Sequence, residues 1–443
     1  MAAARLPQEL VELVIEKGRI FEDNSALSRL SLINRQWCTA GSRYLFRRLR
    51  LRPRVENGKS PSPYDWYEIF LLALQASERM REHVRELTFF SERSDGVPKC
   101  AIPVLHHILA NLPHLKIFEM NHLDFCNPSK TSAFARGLTP VPIPLRVDAV
   151  DLKNVLGFST YYGDVVEAGA SDSFGLAEFL NIFEEIHELR LDNGALPFMY
   201  PIVWHLLEAT PKPLSRQTAL RVDRIHLSGQ QSAKALGVLQ DMVDMGSLKE
   251  LSMQLSPPVL QLADEFLSHV SNLEHIHISL RRDVTLSQGT SWISSSIPDT
   301  GQKLSLLIDC FIFARILAPV VPALANCSRL RTVRVSTIAF LAGYTRSDDL
   351  LWQKAVGILQ CAPRSLQRVV LDIVLPAAIN DEFVQDLDWA MFNAMLARAD
   401  QLEEVSMLAA QKLPWTKQMQ SAVQSKLSAG AQKLLQFGTF AMA

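Results

Sequence analysis

The chain has 443 residues, with 45 Lys and Arg against 46 Asp and Glu and a formal net charge of -1. With 48% hydrophobic and 21% charged residues it has the composition of a folded globular protein and not of a disordered one. A near-neutral chain carries no basic excess for neutralising phosphates, so no nucleic-acid partner is expected.

The six cysteines, Cys38, Cys100, Cys126, Cys310, Cys327 and Cys361, form neither a CxxC metal knuckle nor a dense disulfide framework. Free thiols in a reducing compartment are expected. The N-terminus has no charged region followed by an apolar run and a cleavage site, so no secretion is implied. The most membrane-like stretch, from Leu304 to Cys327, is interrupted by Asp309, Arg315, Pro319 and Pro322. It reads as a buried strand and helix, with no membrane as partner. The expected location is intracellular, cytoplasmic or nuclear; the most basic run, RRLRLRPR from Arg47, closes the N-terminal module and reads as structural or adaptor-facing.

From the N-terminus, apolar residues recur at helical spacing at Leu6, Leu10, Leu13 and Val14 and again at Leu27, Leu30, Ile33 and Trp37. The spacing predicts two or three short amphipathic helices. Pro7 suits a first helical turn, and Glu9 and Glu12 complement the positive end of the helix dipole. A segment this short buries too little apolar surface to stand alone, so part of its apolar face is left for a neighbour or a partner.

Leu6-Pro7, Glu9-Leu10, Ile15, Leu27, Leu30-Ser31-Leu32, Arg35, Trp37 and Leu45-Phe46-Arg47, followed by Leu49 and Leu51, resemble the F-box motif in order and spacing. The resemblance implies a three-helix module at residues 1–51 that docks on a Skp-type adaptor and so joins a cullin-RING ubiquitin ligase of the SCF class. It also implies adaptor contacts at Leu6, Pro7, Leu10, Leu30, Trp37 and Phe46. Ile33-Asn34 departs from the Val-Cys found in many family members, and the Gly18 to Asn24 connection is unusually charged.

A polar, Pro- and Ser-containing stretch at 52–65 reads as a linker. A helix is then predicted over Tyr67 to Arg81, followed by a strand at Val84 to Phe90, and that unit recurs. The pattern apolar-x-x-apolar-x-apolar starts at Val84, Leu115, Val147, Ile186, Val222, Leu248, Leu273, Lys303 (degenerate), Leu330, Leu366 and Leu402. Several starts follow an apolar helix end and a short polar turn, as in HHILANLPHLKIFEM and PALANCSRLRTVRV, which is the physical unit of a leucine-rich repeat. Residues 66–410 therefore resemble an irregular leucine-rich repeat solenoid of about eleven units, with a mean period of about 32 and few of the usual turn asparagines. The resemblance implies an α/β fold with parallel strands on a concave face and helices on the convex one. Insertions are expected at Asn127 to Arg146, Gly157 to Gly175 and Arg281 to Gln302, and residues 411–443 read as a helical cap.

In such a strand the fourth and sixth positions point into the core, and the fifth and seventh point out. The fifth column is Thr88, Glu119, Asp151, Arg190, His226, Ser252, His277, Leu307, Arg334, Val370 and Ser406. The seventh is Phe90, Asn121, Lys153, Asp192, Ser228, Gln254, Ser279, Asp309, Ser336, Asp372 and Leu408. A polar face of mixed charge suits a polypeptide segment, with Glu119, Asp151, Arg190, His226, His277 and Arg334 as candidate contacts; an ordinary solvated face with binding by rim loops is the alternative.

Other chemical signals dissolve. His106 and His107 are adjacent on a predicted helix and face different directions. His275 and His277 share a strand face but lack further ligands at metal-binding spacing, so neither metal nor cofactor is expected. The serine-rich stretch 291–299 reads as a loop, and no GxSxG, GxxxxGK[ST] or GxGxxG motif is present. The F-box and repeat resemblances together imply a non-catalytic substrate receptor of an SCF ligase that presents an unidentified protein substrate. A repeat scaffold without cullin recruitment is the alternative reading.

Overall fold

A computed structural model of the chain describes residues 7–17, 24–52, 65–91, 99–122, 124–126, 144–153, 174–193, 219–229, 232–255, 257–281, 320–338, 347–373, 387–410 and 414–440, with 134, 137–138, 155 and 384. Leu6, most of the 52–65 linker, most of the three expected insertions, the Lys303 unit and the serine-rich 291–299 stretch lie outside these residues. Two compact units account for the chain, Met1–Asn193 with Pro201–Arg221 and Val222–Ala443 with Gly194–Tyr200.

The first unit begins with α1 (Gln8–Lys17), α2 (Asn24–Ser31) and α3 (Arg35–Leu45). Val11 and Ile15 of α1 meet Leu27 of α2 and Ala40 of α3 in one buried cluster, with Trp37, Tyr44 and Leu45 packed against it. The start of α3 is set by Asn34, whose side-chain oxygen accepts from the backbone N–H of Gln36 at 2.9 Å and of Trp37 at 3.1 Å. Two of the helix's orphan donors are satisfied in this way.

The chain then enters β1 (Arg48–Leu51), so the helical module runs straight into a strand ladder. The predicted helix over Tyr67 to Arg81 is two helices, α4 (Asp65–Ala76) and α5 (Glu78–His83), because Ser77 adopts an extended conformation and caps α5 through Met80 N–H. There follow β2 (Glu86–Phe90), β3 (Lys99–Ala101), α6 (Ile102–Ala110), β4 (Ile117–Asn121), β5 (Asp124–Cys126), β6 (Leu145–Lys153), α7 (Phe174–Leu180) and β7 (Phe183–Asn193). β1, β2, β4, β6 and β7 pair in that order, all parallel, and β3 and β5 form a small parallel pair of their own. An aromatic column runs through the core: Phe89 meets Phe118 at a ring distance of 6.0 Å, Phe118 meets Phe179 at 6.1 Å, and Phe179 meets Phe183 at 5.2 Å.

The second unit alternates β8 (Arg221–Gly229), α8 (Ser232–Met242), β9 (Glu250–Leu255), α9 (Pro257–Ser268), β10 (His275–Arg281), α10 (Val320–Asn326), β11 (Thr332–Ile338), α11 (Ser347–Gln360), β12 (Arg368–Ile373), α12 (Trp389–Leu396) and β13 (Glu404–Ala410). It closes with α13 (Lys417–Lys426), α14 (Ala429–Leu434) and β14 (Leu435–Phe440). The strands pair in sequence order, all parallel, with helices as crossovers.

The fourth and sixth positions are buried in every described unit: Leu87 and Phe89, Phe118 and Met120, Val150 and Leu152, and onward to Val405 and Met407. Many of the strands start the same way. The carbonyl of the second position accepts two backbone N–H groups from the next unit, as Arg85 does from Lys116 at 2.7 Å and Ile117 at 3.0 Å, and Glu274 does from Arg331 and Thr332. This main-chain fork holds the units in register although the usual turn asparagines are few.

Two boundaries differ from the sequence reading. β10 pairs directly with β11 over seven residues, His277 opposite Arg334, so no strand from the Lys303 unit stands between them. At the other end, the helical tail finishes in β14, which pairs with β13. Gly438 permits that approach, because a Cβ there would lie 2.8 Å from Leu408 Cδ2, and Phe437 anchors the strand against Trp415 at a ring distance of 5.5 Å. Within each unit, parallel strands in register with helical crossovers fit a leucine-rich repeat solenoid.

Candidate functional site

Two surfaces carry the expected site residues. The first is on the three-helix module. The apolar arc of α1 is wider than its buried face: Val11 and Ile15 point into the module core, while Leu10, Leu13 and Val14 are 44%, 45% and 46% exposed. At 100° per residue these three form one arc that continues from the core edge, away from Glu12 and Glu16. Leu32 and Ile33, in the turn before α3, are also exposed. Of the residues expected to touch an adaptor, Pro7 and Leu10 are exposed and Leu30, Trp37 and Phe46 half-buried; Trp37 packs on the module core and Phe46 caps α3. Leu13, Val14, Leu32 and Ile33 lie outside that expected set and are exposed beside it; an apolar arc on α1 too wide for one buried face was the legible signal.

On the polar side of the module, Arg43 bonds Glu12 at 2.9 Å and Tyr44 donates to Glu16 at 2.8 Å, tying α3 to α1. Burial, and then the Glu16 carboxylate, push the Tyr44 phenol up to about 12.

The second surface is the outward face of the strands, and its chemistry differs between the two units. In the first unit, Thr88, Glu119, Asp151 and Arg190 stand in one row. Lys153 bridges Glu119 at 3.1 Å and Asp151 at 2.9 Å, Thr88 donates to Glu119 at 3.3 Å, and Arg190 pairs with Glu188 at 2.5 Å. Burial raises the Asp151 carboxyl above its ordinary value while Lys153 opposes that shift. Both cations of this face, Lys153 and Arg190, are thus held by acids beside them.

In the second unit, His226, Ser252, His277 and Arg334 occupy the corresponding row, with Ser336 and Asp372 two positions further on. Ser336 Oγ donates its only proton to Asp372 Oδ2. The contact of 2.7 Å between Ser336 Oγ and His277 Nε2 therefore needs the proton on Nε2, and Ser252 then donates to His277 Nδ1 at 3.2 Å. Arg334 Nε reaches the same Asp372 oxygen at 2.7 Å. The order Ser252–His277–Ser336–Asp372 is a relay across four strands and was not legible from motifs, since its members are 25 to 59 residues apart along the chain. Burial, and then the Arg334 charge, hold the His277 imidazole below its ordinary value, which keeps it neutral. The backbone N–H groups of these paired strands are spent in the ladder, so the row presents no oxyanion pocket for acyl transfer. It orients donors instead.

No protein-family model matches the chain, and no curated protein matches it. Among solved structures the chain is similar to the leucine-rich repeat-containing protein LegL7 from Legionella pneumophila, at 12% identity and a TM-score of 0.37, over 86% of this chain and 98% of that one. The ladder's own register, and not this neighbour, carries the fold. Among the described residues no cluster of three or more His, Cys, Asp or Glu could hold a metal ion, and no helix is long and apolar enough to cross a membrane.

Proposed function

We propose that the chain is the substrate-recognition subunit of an SCF ubiquitin ligase: the three-helix module is an F-box that docks on a Skp-type adaptor, and the strand face presents a protein substrate. The observation that supports this reading is the outer part of the apolar arc of α1, where Leu10, Leu13 and Val14 are exposed although Val11 and Ile15 already fill the module core. Exposed apolar residues grouped on one helix face mark an interaction surface. The motif resemblance names the partner that such a surface fits. The chain itself supplies no chemistry in this reading; holding a substrate lysine near the conjugating enzyme raises its effective concentration.

Co-expression of the full chain with a Skp-type adaptor, followed by size-exclusion chromatography, tests it. A one-to-one complex is expected, lost in Leu10→Asp/Val14→Asp, with circular dichroism showing that the variant is folded. Absence of a complex with the intact chain overturns the F-box reading. The second reading, a repeat scaffold without cullin recruitment, draws on the polar outward faces of both units, which need no adaptor to bind a polypeptide.

A further inference from the structure

Arg334 differs from the other arginines of the strand faces in what holds it. Arg146, Arg190 and Arg368 pair with Glu184, Glu188 and Glu404, glutamates that keep some solvent contact. The partner of Arg334 is Asp372, whose side chain is 2% exposed and which also accepts from Ser336. A buried carboxylate on Nε fixes the plane of the guanidinium. Among the described residues the two Nη atoms of Arg334 have no hydrogen-bond partner, and 39% of its side-chain surface is open. His277, 34% exposed, lies beside it, opposite in the ladder.

The neighbouring outward positions are Ser252, Gln254 and Ser279, which carry no charge. Asp372 is the one carboxylate among the described fifth- and seventh-column residues of β8 to β13, and it is covered. An oxyanion arriving at Arg334 would meet a planar fork of donors beside an uncharged imidazole, with no exposed acid in these columns to repel it.

We propose that Arg334, held by Asp372 and flanked by His277, is the recognition point for an acidic group of the bound segment, a carboxylate or a phosphate, taken bidentately on the Nη edge. This rests on the strand face of the second unit being the substrate surface; it does not rest on adaptor docking. Asp372 and Ser336 are positioning residues, since they act on the ligand only through Arg334 and His277. The two rows then differ: in the first unit Lys153 and Arg190 are taken up by neighbouring acids, and the second unit keeps one oriented cation for a partner.

The test is NMR titration of the full chain with inorganic phosphate and, separately, acetate, at constant pH and constant ionic strength set with chloride. The reporters are the Arg334 Nε–H signal and the His277 ring C–H, assigned with Arg334→Gln and His277→Gln. Saturable shifts at both reporters are expected. In Arg334→Gln the His277 reporter should show binding weakened by at least about tenfold, the size of one lost charge-assisted pair. Arg334→Lys keeps the charge, loses the fork, and should fall between. Binding of phosphate alone identifies a phosphorylated segment; comparable binding of acetate identifies an acidic side chain or chain end. Absence of a saturable shift, or equal binding by Arg334→Gln, overturns the proposal. Adaptor co-purification of Arg334→Gln is read alongside: its loss counts against the F-box reading and leaves the anion result standing.

Discussion

Ser336 and Asp372 stand directly opposite each other on neighbouring strands, and Arg334 reaches the same Asp372 oxygen diagonally, at 2.7 Å. One buried carboxylate thus carries two donors from β11. Asp372→Ala removes both bonds and leaves Ser336 buried beside a void. It should lower unfolding stability by about 2–3 kcal/mol in urea titration. A loss under about 1 kcal/mol would mean that the relay contributes little to stability.

His277 gives a pH dependence whose sign follows from its burial. Its folded-state value lies below the ordinary 6.5. Between the folded and unfolded values the unfolded chain binds more protons, so stability is full above about 6.5 and is lost as pH falls through the folded value. The facing groups are His226, Arg334 and Asp372; His226 and Arg334 oppose protonation and Asp372 favours it. In thermal unfolding between pH 7 and 5, His277→Gln should show a flatter pH profile than the parent, and identical profiles would assign the dependence to other groups.

Phe118 is fully buried between Phe89 and Phe179, whereas its neighbour Ile117 is 39% exposed. Phe118→Ala should cost about 3–5 kcal/mol and Ile117→Ala within about 0.5 kcal/mol. Similar costs would be incompatible with the inward assignment of the fourth column.

Burial pushes the Cys327 and Cys361 thiols up to about 11, and Cys38 is partly exposed. The thiolate is the reactive species. Maleimide at pH 8 followed by peptide mapping should therefore label Cys38 in the native protein before Cys327 or Cys361. Denaturant should remove the difference.

How far the fold could be read in advance depends on how local each question is. Whether Leu87 and Phe89 point inward follows from the two-residue period of an extended chain, and the fourth and sixth positions of every described unit are buried, although Val370 and Ser406 of the outward column are covered as well. The helix over Tyr67 to Arg81 was harder, because Ser77 is tolerated inside a helix yet here caps the next one. Tyr44 likewise looks like a closing residue of α3, and only the packed module shows it donating to Glu16.

By itself the sequence determined the columns, the helical character of the N-terminal module and the near-neutral charge, because each depends on residue order and spacing alone. Tertiary structure decided adjacency. That β10 lies against β11, bringing His277 beside Arg334 and Ser336, pairs strands far apart along the chain, which no local period encodes. It also decided which apolar arc of α1 is core and which is surface, since Val11 and Leu10 are equivalent on a helical wheel until Leu27 and Ala40 bury one of them.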